Sequence, residues 1–157
     1  MSIDLIPKDL RNKYEIIEWK NATAALRYDH PEERDDLLYV LSNFKLLKEH
    51  ILTPGGNKSP IARSINGMFG GRGWREMAFD IAIHVEYKAV QGRKKKVVDT
   101  ASYEIPTHQV DYYKNRVAVE TEWNNKDPFF DRDLNNFRLL HEYGLIDVGV
   151  VITRSWE

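Results

Sequence analysis

Hydrophobic and polar positions change their period several times along the 157 residues. Tyr14-Glu-Ile-Ile-Glu-Trp19 alternates and reads as a short strand, followed by an alanine-rich helical stretch from Ala22 to Tyr28. Pro31 then opens an amphipathic helix. Proline suits the first helical position, and Glu32, Glu33, Asp35 and Asp36 put negative charge at the positive end of the helix dipole. Leu37, Leu41, Phe44 and Leu47 recur at helical spacing and carry the helix to near His50. Thr53-Pro-Gly-Gly-Asn-Lys-Ser is a loop by its proline and glycine content. Ser59 and Pro60 cap and begin a further helix through Met68, which Gly70-Gly-Arg-Gly breaks.

Downstream the period falls to two. Phe79 to Val90 and Val97 to Ile105 alternate and are rich in β-branched residues, with Gln91-Gly-Arg-Lys-Lys-Lys96 between them, which predicts a hairpin with a basic tip. After Pro106 comes Asp111-Tyr-Tyr-Lys-Asn-Arg-Val-Ala-Val-Glu120-Thr-Glu122-Trp123, read as two strands joined by a tight turn at Lys114-Asn115. A loop through Pro128 follows, then a helix capped by Asp131 or Asp133 and carrying Leu134, Phe137 and Leu140, which Gly144 stops. Leu145 to Thr153 is nearly all apolar and fits a strand buried on both faces. Strand, helix and buried strand in that order imply a right-handed crossover in a mixed sheet. The fold class is therefore α/β (α+β), a central mixed β-sheet flanked by helices, and the length suits one domain over residues 1–157.

Alternation places Arg116, Ala118, Glu120 and Glu122 on one face of the second of those strands, with Val117, Val119, Thr121 and Trp123 on the other. The turn doubles the chain back and brings Asp111 alongside Glu120. Like charges held that close repel, and such a cluster is normally kept where a cation neutralises it. Spacing alone is a weak signal. With 24 Asp and Glu, an Asp followed at a loose distance by Glu-x-Glu arises roughly once by chance. Asp80, Glu86 and Lys88 form a rival set. They lie in the hairpin with the basic tip, where a solvated face is the better explanation. For Asp111 the apolar spacer before Glu120 and the helix and strand that follow put Glu120 inside the sheet.

Composition narrows the chemistry. Cysteine is absent, so a bound metal must take oxygen or histidine ligands, and carboxylates point to magnesium. A formal net charge of −1 gives no support for nucleic-acid binding, yet leaves room for a local basic patch. No apolar run is long enough to span a membrane and the first residues lack the pattern of a signal peptide, so a cytoplasmic protein is expected. Such a site would hydrolyse phosphodiesters. Asp111 and Glu120, with the main-chain carbonyl of Thr121, would ligate one or two magnesium ions. Glu122 would orient or deprotonate the attacking water, or bind a second metal.

The run from Asp111 to Glu120, with Pro128-Phe-Phe and Ile146-Asp-Val-Gly-Val150 after it, resembles the catalytic core of type II restriction endonucleases of the BglII/BstYI kind, within the PD-(D/E)XK superfamily. Ser59-Pro-Ile-Ala and Gly73-Trp-Arg-Glu76 are similar to segments at equivalent order, so the resemblance covers most of residues 14 to 153. It implies a restriction-endonuclease-like core and a homodimeric, magnesium-dependent enzyme that cuts double-stranded DNA at a short palindrome with a GATC core. Asp111 and Glu120 match the metal ligands. Glu122 departs from the glutamine of the nearest relatives and is closer to the Glu-x-Glu of the BamHI type. Relatives continue beyond the last strand, so a C-terminal part that contributes to DNA recognition is expected to be lacking. The alternatives are a structure-dependent or repair nuclease of the same fold and a non-catalytic DNA-binding domain.

Basic and polar residues complete the expectations. Arg93, Lys94, Lys95 and Lys96 could grip phosphates or keep a hairpin tip soluble. Arg72, Asn124 and Lys126 lie in loops near the core and could touch DNA, with surface decoration the commoner explanation. His108 precedes Asp111, but a lone loop histidine is more often neither base nor ligand. Trp19, Trp74 and Trp123 read as core aromatics, and the helix with Leu37, Leu41 and Phe44 as core or dimer interface.

Overall fold

The structure, a computed structural model, describes residues 2–52, 60–123 and 127–155. The expected loop from Thr53 to Ser59, and Asn124 and Lys126, lie outside the described residues. The chain forms two compact units, residues 1–77 with 110–157, and residues 78–109.

The larger unit is built on a four-stranded sheet of β1 (Arg75–Met77), β4 (Val110–Lys114), β5 (Val117–Glu122) and β6 (Val148–Thr153), adjacent in that order. β4 is antiparallel to β1 and β5, while β5 and β6 run parallel, so the sheet is mixed as the sequence predicts. Its helices are α1 (Lys8–Lys13), α2 (Ala22–Tyr28), α3 (Pro31–Asn43), α4 (Lys48–Leu52), α5 (Pro60–Gly70) and α6 (Asp127–Glu142). Among the described residues no helix is long and apolar enough to cross a membrane.

One face of the sheet supplies Tyr112, Val117, Val119 and Val148 to a core completed by Leu37, Val40 and Phe44 of α3 and by Ile61, Ile65 and Phe69 of α5. Phe69 lies at its centre, stacked on Tyr112 at 4.4 Å between ring centroids and edge-on to Trp74 at 5.1 Å. Trp74 is buried and Trp123 packs against the same cluster, as expected of core aromatics.

Trp19 is not a core aromatic. Tyr14–Trp19 forms no strand, and Ile17 and Trp19 are 89% and 79% exposed. The segment does alternate, but its inward residues are tied to helices rather than to a sheet edge. The Tyr14 hydroxyl donates to the Leu41 carbonyl at 2.8 Å, and Glu18 accepts from the Thr23 N–H at 3.1 Å. The third helix is also shorter than its periodicity predicts. It ends at Asn43, with Phe44 extended and Leu47 exposed, because Lys13 Nζ reaches across to the carbonyls of Leu41 (2.7 Å) and Phe44 (2.6 Å) and satisfies the helix end there.

β6 is not buried on both faces. It is the last strand of the sheet order, and only Val148 is fully enclosed while Val150, Val151 and Ile152 are half-buried. The final helix begins earlier than expected, at Asp127, where Pro128 suits its first turn. Asp133 therefore lies inside the helix rather than capping it, and Leu134 is exposed. Gly144 does end the helix, at φ +68°, in a left-handed conformation open to glycine.

The smaller unit is a two-stranded hairpin of β2 (Ile81–Gln91) and β3 (Lys94–Ile105). Its turn is tighter than the predicted basic loop. Gly92 and Arg93 alone form it, and Lys94, Lys95 and Lys96 pair with Gln91, Val90 and Ala89 inside the ladder. Arg93 to Lys96 are all exposed. Glu86 and Lys88 form an exposed ion pair at 2.5 Å and Asp80 is exposed, so the rival acidic set does lie on a solvated face.

Candidate active site

A two-residue turn assembles the acidic site. Asn115 and Arg116 both take positive φ, 43° and 69°, the backbone that lets a two-residue loop follow the twist of the strands it joins. The turn sits one residue later than the sequence suggests, because Lys114 still pairs with Val117. Arg116 is held there by Asp147, whose two carboxylate oxygens accept from its Nε at 2.7 Å and its Nη2 at 2.6 Å. His30 Nε2 lies 3.1 Å from the same carboxylate, which ties the start of α3 to the base of the turn.

From that turn the register runs upward. Tyr112 pairs with Val119, so Asp111 stands beside Glu120 one position further on. The Asp111 N–H donates to Glu120 Oε2 at 3.2 Å. Asp111 Oδ2 in turn accepts from the Thr121 N–H at 3.0 Å and the Thr121 hydroxyl at 2.9 Å. Thr121 therefore orients Asp111, a task apart from the carbonyl ligation expected of it. Strand alternation sends Val117, Val119 and Trp123 to the helical core and leaves Ala118, Glu120 and Glu122 for the opposite face, under α6. Glu120 and Glu122 are 2% and 5% exposed.

Sequence reasoning missed Asp133. It lies on the stripe Asp133, Asn136, Phe137 and Leu140 that α6 turns inward, and it is wholly buried. Its carboxylate approaches that of Glu120, with an oxygen of each within 4.8 Å of the other. Arg132 Nη2 lies 3.1 Å from Asp133 Oδ1 and 3.5 Å from Glu122 Oε1. A usable signal was present: acidic and amide side chains at positions 133 and 136 share helical spacing with Phe137 and Leu140, so polar residues occupy core positions.

The electrostatics follow from this crowding. Burial, and then the Asp111 carboxylate, push the Glu120 carboxyl up to about 8, with Asp133 and Glu122 adding to it. Glu122 is raised to about 7, again by burial first and by Asp133 next, against which Arg132 acts only in part. Glu120 Oε1, Glu122 Oε2 and Asp133 Oδ2 are buried with no hydrogen-bond donor among the described residues. Three bare carboxylate oxygens facing low dielectric fit a hard divalent cation, which binds through oxygen and removes the repulsion that raises these groups.

Other expected site residues are distributed differently. Arg72 is engaged by the fold itself, 3.4 Å from Asp36 and stacked over the Tyr39 ring. Arg93, Lys94, Lys95 and Lys96 belong to the separate hairpin unit.

A mixed sheet flanked by helices, with an acidic residue on each of two adjacent antiparallel strands and the second strand continuing parallel to a third, defines a restriction-endonuclease-like fold. The family model of restriction endonuclease BglII/BglIII matches residues 14–157, and the chain belongs to that family. It is a nuclease acting on DNA. The match spans every strand and all of the acidic residues described above. No curated protein matches the chain.

Proposed function

We propose that this protein is a magnesium-dependent type II restriction endonuclease that hydrolyses double-stranded DNA at a short palindromic site. The observation that carries this reading is the pairing of Asp111 with Glu120 across β4 and β5, with one Glu120 oxygen buried and bare and a carboxylate oxygen of Asp133 within 4.8 Å of the Glu120 carboxylate. Asp111 and Glu120 would hold the metal, joined by the Thr121 carbonyl. A bound magnesium ion there would neutralise the carboxylates and polarise the phosphate and the attacking water. Glu122, next on the same face, would hold that water through a carboxylate oxygen and accept its proton.

On this reading residues 1–157 serve as one endonuclease domain, in which the basic hairpin is a chain excursion between β1 and β4. Arg93, Lys94, Lys95, Lys96, Asn124 and Lys126 contact DNA, the basic residues through phosphates without reading sequence. Two copies related by a two-fold axis would present two sites to the two strands of a palindrome. The GATC core rests on the resemblance of the Asp111 to Val150 region alone.

The test is digestion of plasmid DNA by purified protein with magnesium, with chelator, and with the Asp111→Ala and Glu120→Ala variants. Cleavage is expected only with magnesium, and each variant should lose roughly 10²- to 10³-fold in rate, the range seen when a group that stabilises transition-state charge is removed. Undiminished cleavage by either variant would place the chemistry elsewhere. Nicking confined to junctions or ends would assign the fold to a structure-dependent nuclease instead.

A further inference from the structure

We propose that Arg132, on α6, is a phosphate-contacting residue of the nuclease: it rests against Glu122 and Asp133 as their counter-ion and turns its guanidinium to a backbone phosphate when DNA enters. This rests on the reading of Asp111 and Glu120 as the cation position.

Two arginines of the larger unit hold acids, and they hold them differently. Arg116 meets Asp147 as a fork, its Nε and Nη2 each taking a separate carboxylate oxygen, at 2.7 and 2.6 Å. Arg132 brings its Nε and Nη2 to a single oxygen, Asp133 Oδ1, both at 3.1 Å, and its Nη2 stands 3.5 Å from Glu122 Oε1. Asp133 Oδ2 and Glu122 Oε2 stay buried with no donor among the described residues. Neighbouring residues on a helix point about 100° apart, so Arg132 folds back over its own helix to reach Asp133. Attraction to the acids, rather than a fitted fork, accounts for the contact.

Exposure agrees. The Arg132 side chain is 38% exposed, whereas those of Asp133 and Glu122 are 0% and 6% exposed. The guanidinium therefore lies on the solvent side of the buried acids, where an entering DNA backbone meets it before it meets them. With a cation held by Asp111 and Glu120, the negative potential that draws Arg132 inward falls. A phosphodiester then offers the fork two non-bridging oxygens, the bidentate match that Asp133 does not give. A guanidinium there would offset the charge that builds on the phosphate as water attacks, and Arg132 stays protonated throughout.

The test compares wild type with Arg132→Gln and Arg132→Lys in plasmid cleavage with magnesium, in calorimetric titration with calcium in the absence of DNA at pH 9, and in thermal melts. That pH lies above the raised values of Glu120, about 8, and Glu122, about 7, so protons compete little with calcium. Loss of the resident positive charge in Arg132→Gln should raise calcium affinity about 3-fold or more, while cleavage falls roughly 10²-fold in kcat. Arg132→Lys keeps the charge and loses the fork, so its calcium affinity should match wild type and its cleavage should fall between the other two. A pair that serves the fold alone would instead make affinity, cleavage and melting temperature fall together in Arg132→Gln. That pattern, an unchanged calcium affinity, or cleavage by Arg132→Gln at the wild-type rate would overturn the proposal and leave the Asp111–Glu120 site standing. Wild type that cuts no plasmid would overturn the nuclease reading and the phosphate contact together.

Discussion

Glu120 has one oxygen held by the Asp111 N–H and the other bare, and it is raised to about 8 by burial and by its acidic neighbours. Glu122 follows at about 7. A folded-state value above the unfolded one means that the folded chain holds the proton more tightly. The stability this contributes is fully present below the unfolded value near 4.5 and is lost as pH rises through 7 and 8. The metal-free protein should therefore melt at progressively lower temperature from pH 5 to pH 8.5. Magnesium should raise the melting temperature most at the alkaline end, where both carboxylates are ionised and free to bind it. Glu120→Gln should flatten both trends; a melting temperature that climbs with pH in the metal-free protein would contradict the electrostatic account. Thr121 acts through Asp111. Thr121→Val removes the hydroxyl at 2.9 Å but keeps the N–H, and cation affinity measured by calorimetry should fall about 10-fold, with the fold unchanged.

At the scale of elements, the seat of α6 on the sheet decides whether Asp133 reaches the site. Gly149 of β6 pairs with Ala118 of β5, and a Cβ added at Gly149 would stand 2.7 Å from Phe137 Cγ of α6. Gly149→Ala should cost about 1 to 3 kcal/mol, the usual range for overpacking a core, or roughly 2 to 12 °C in thermal melts. The helix it lifts carries Asp133, so cation affinity should fall with stability. A variant that melts like wild type would show that α6 is not seated on this glycine.

Much of the sheet was legible because local and tertiary signals agree in it. The apolar run before Glu120, the turn expected at Lys114-Asn115 and the two-residue period all describe β4 and β5, to within one residue at the turn. Where the signals diverge, sequence misleads. Tyr14–Trp19 has strand periodicity but no ladder partner, and the Tyr14 hydroxyl is tied to α3 at Leu41, 27 residues away. The end of α3 depends on Lys13, 28 residues away from the carbonyl of Leu41 that it satisfies. Asp131 and Asp133 both suit a cap by sequence, since an acid near a helix start usually is one, and only the true start at Asp127 puts Asp133 on the buried face.

For the whole molecule, a net charge of −1 conceals the separation of its parts. The acids that define the site lie in the larger unit, and four consecutive basic residues lie in the hairpin unit. If those four contact phosphates, replacing all of them with alanine should weaken DNA binding and reduce the salt dependence of the affinity by up to about 0.9 per contact in log–log slope. The cut position should not move, because phosphate contacts carry no sequence information. An unchanged slope in fluorescence anisotropy titrations would leave the basic tip a solubility feature. The resemblance is legible in the Asp111 to Val150 region, where two acids separated by an apolar spacer give a local pattern, whereas base recognition depends on which side chains reach a groove.

Sequencing the ends of plasmid fragments cut by wild-type protein in magnesium tests the central claim most directly. The account predicts discrete ends that share one short palindrome, absent with chelator and absent with Asp111→Ala or Glu120→Ala. Intact plasmid under all conditions, or ends with no common sequence, would contradict it.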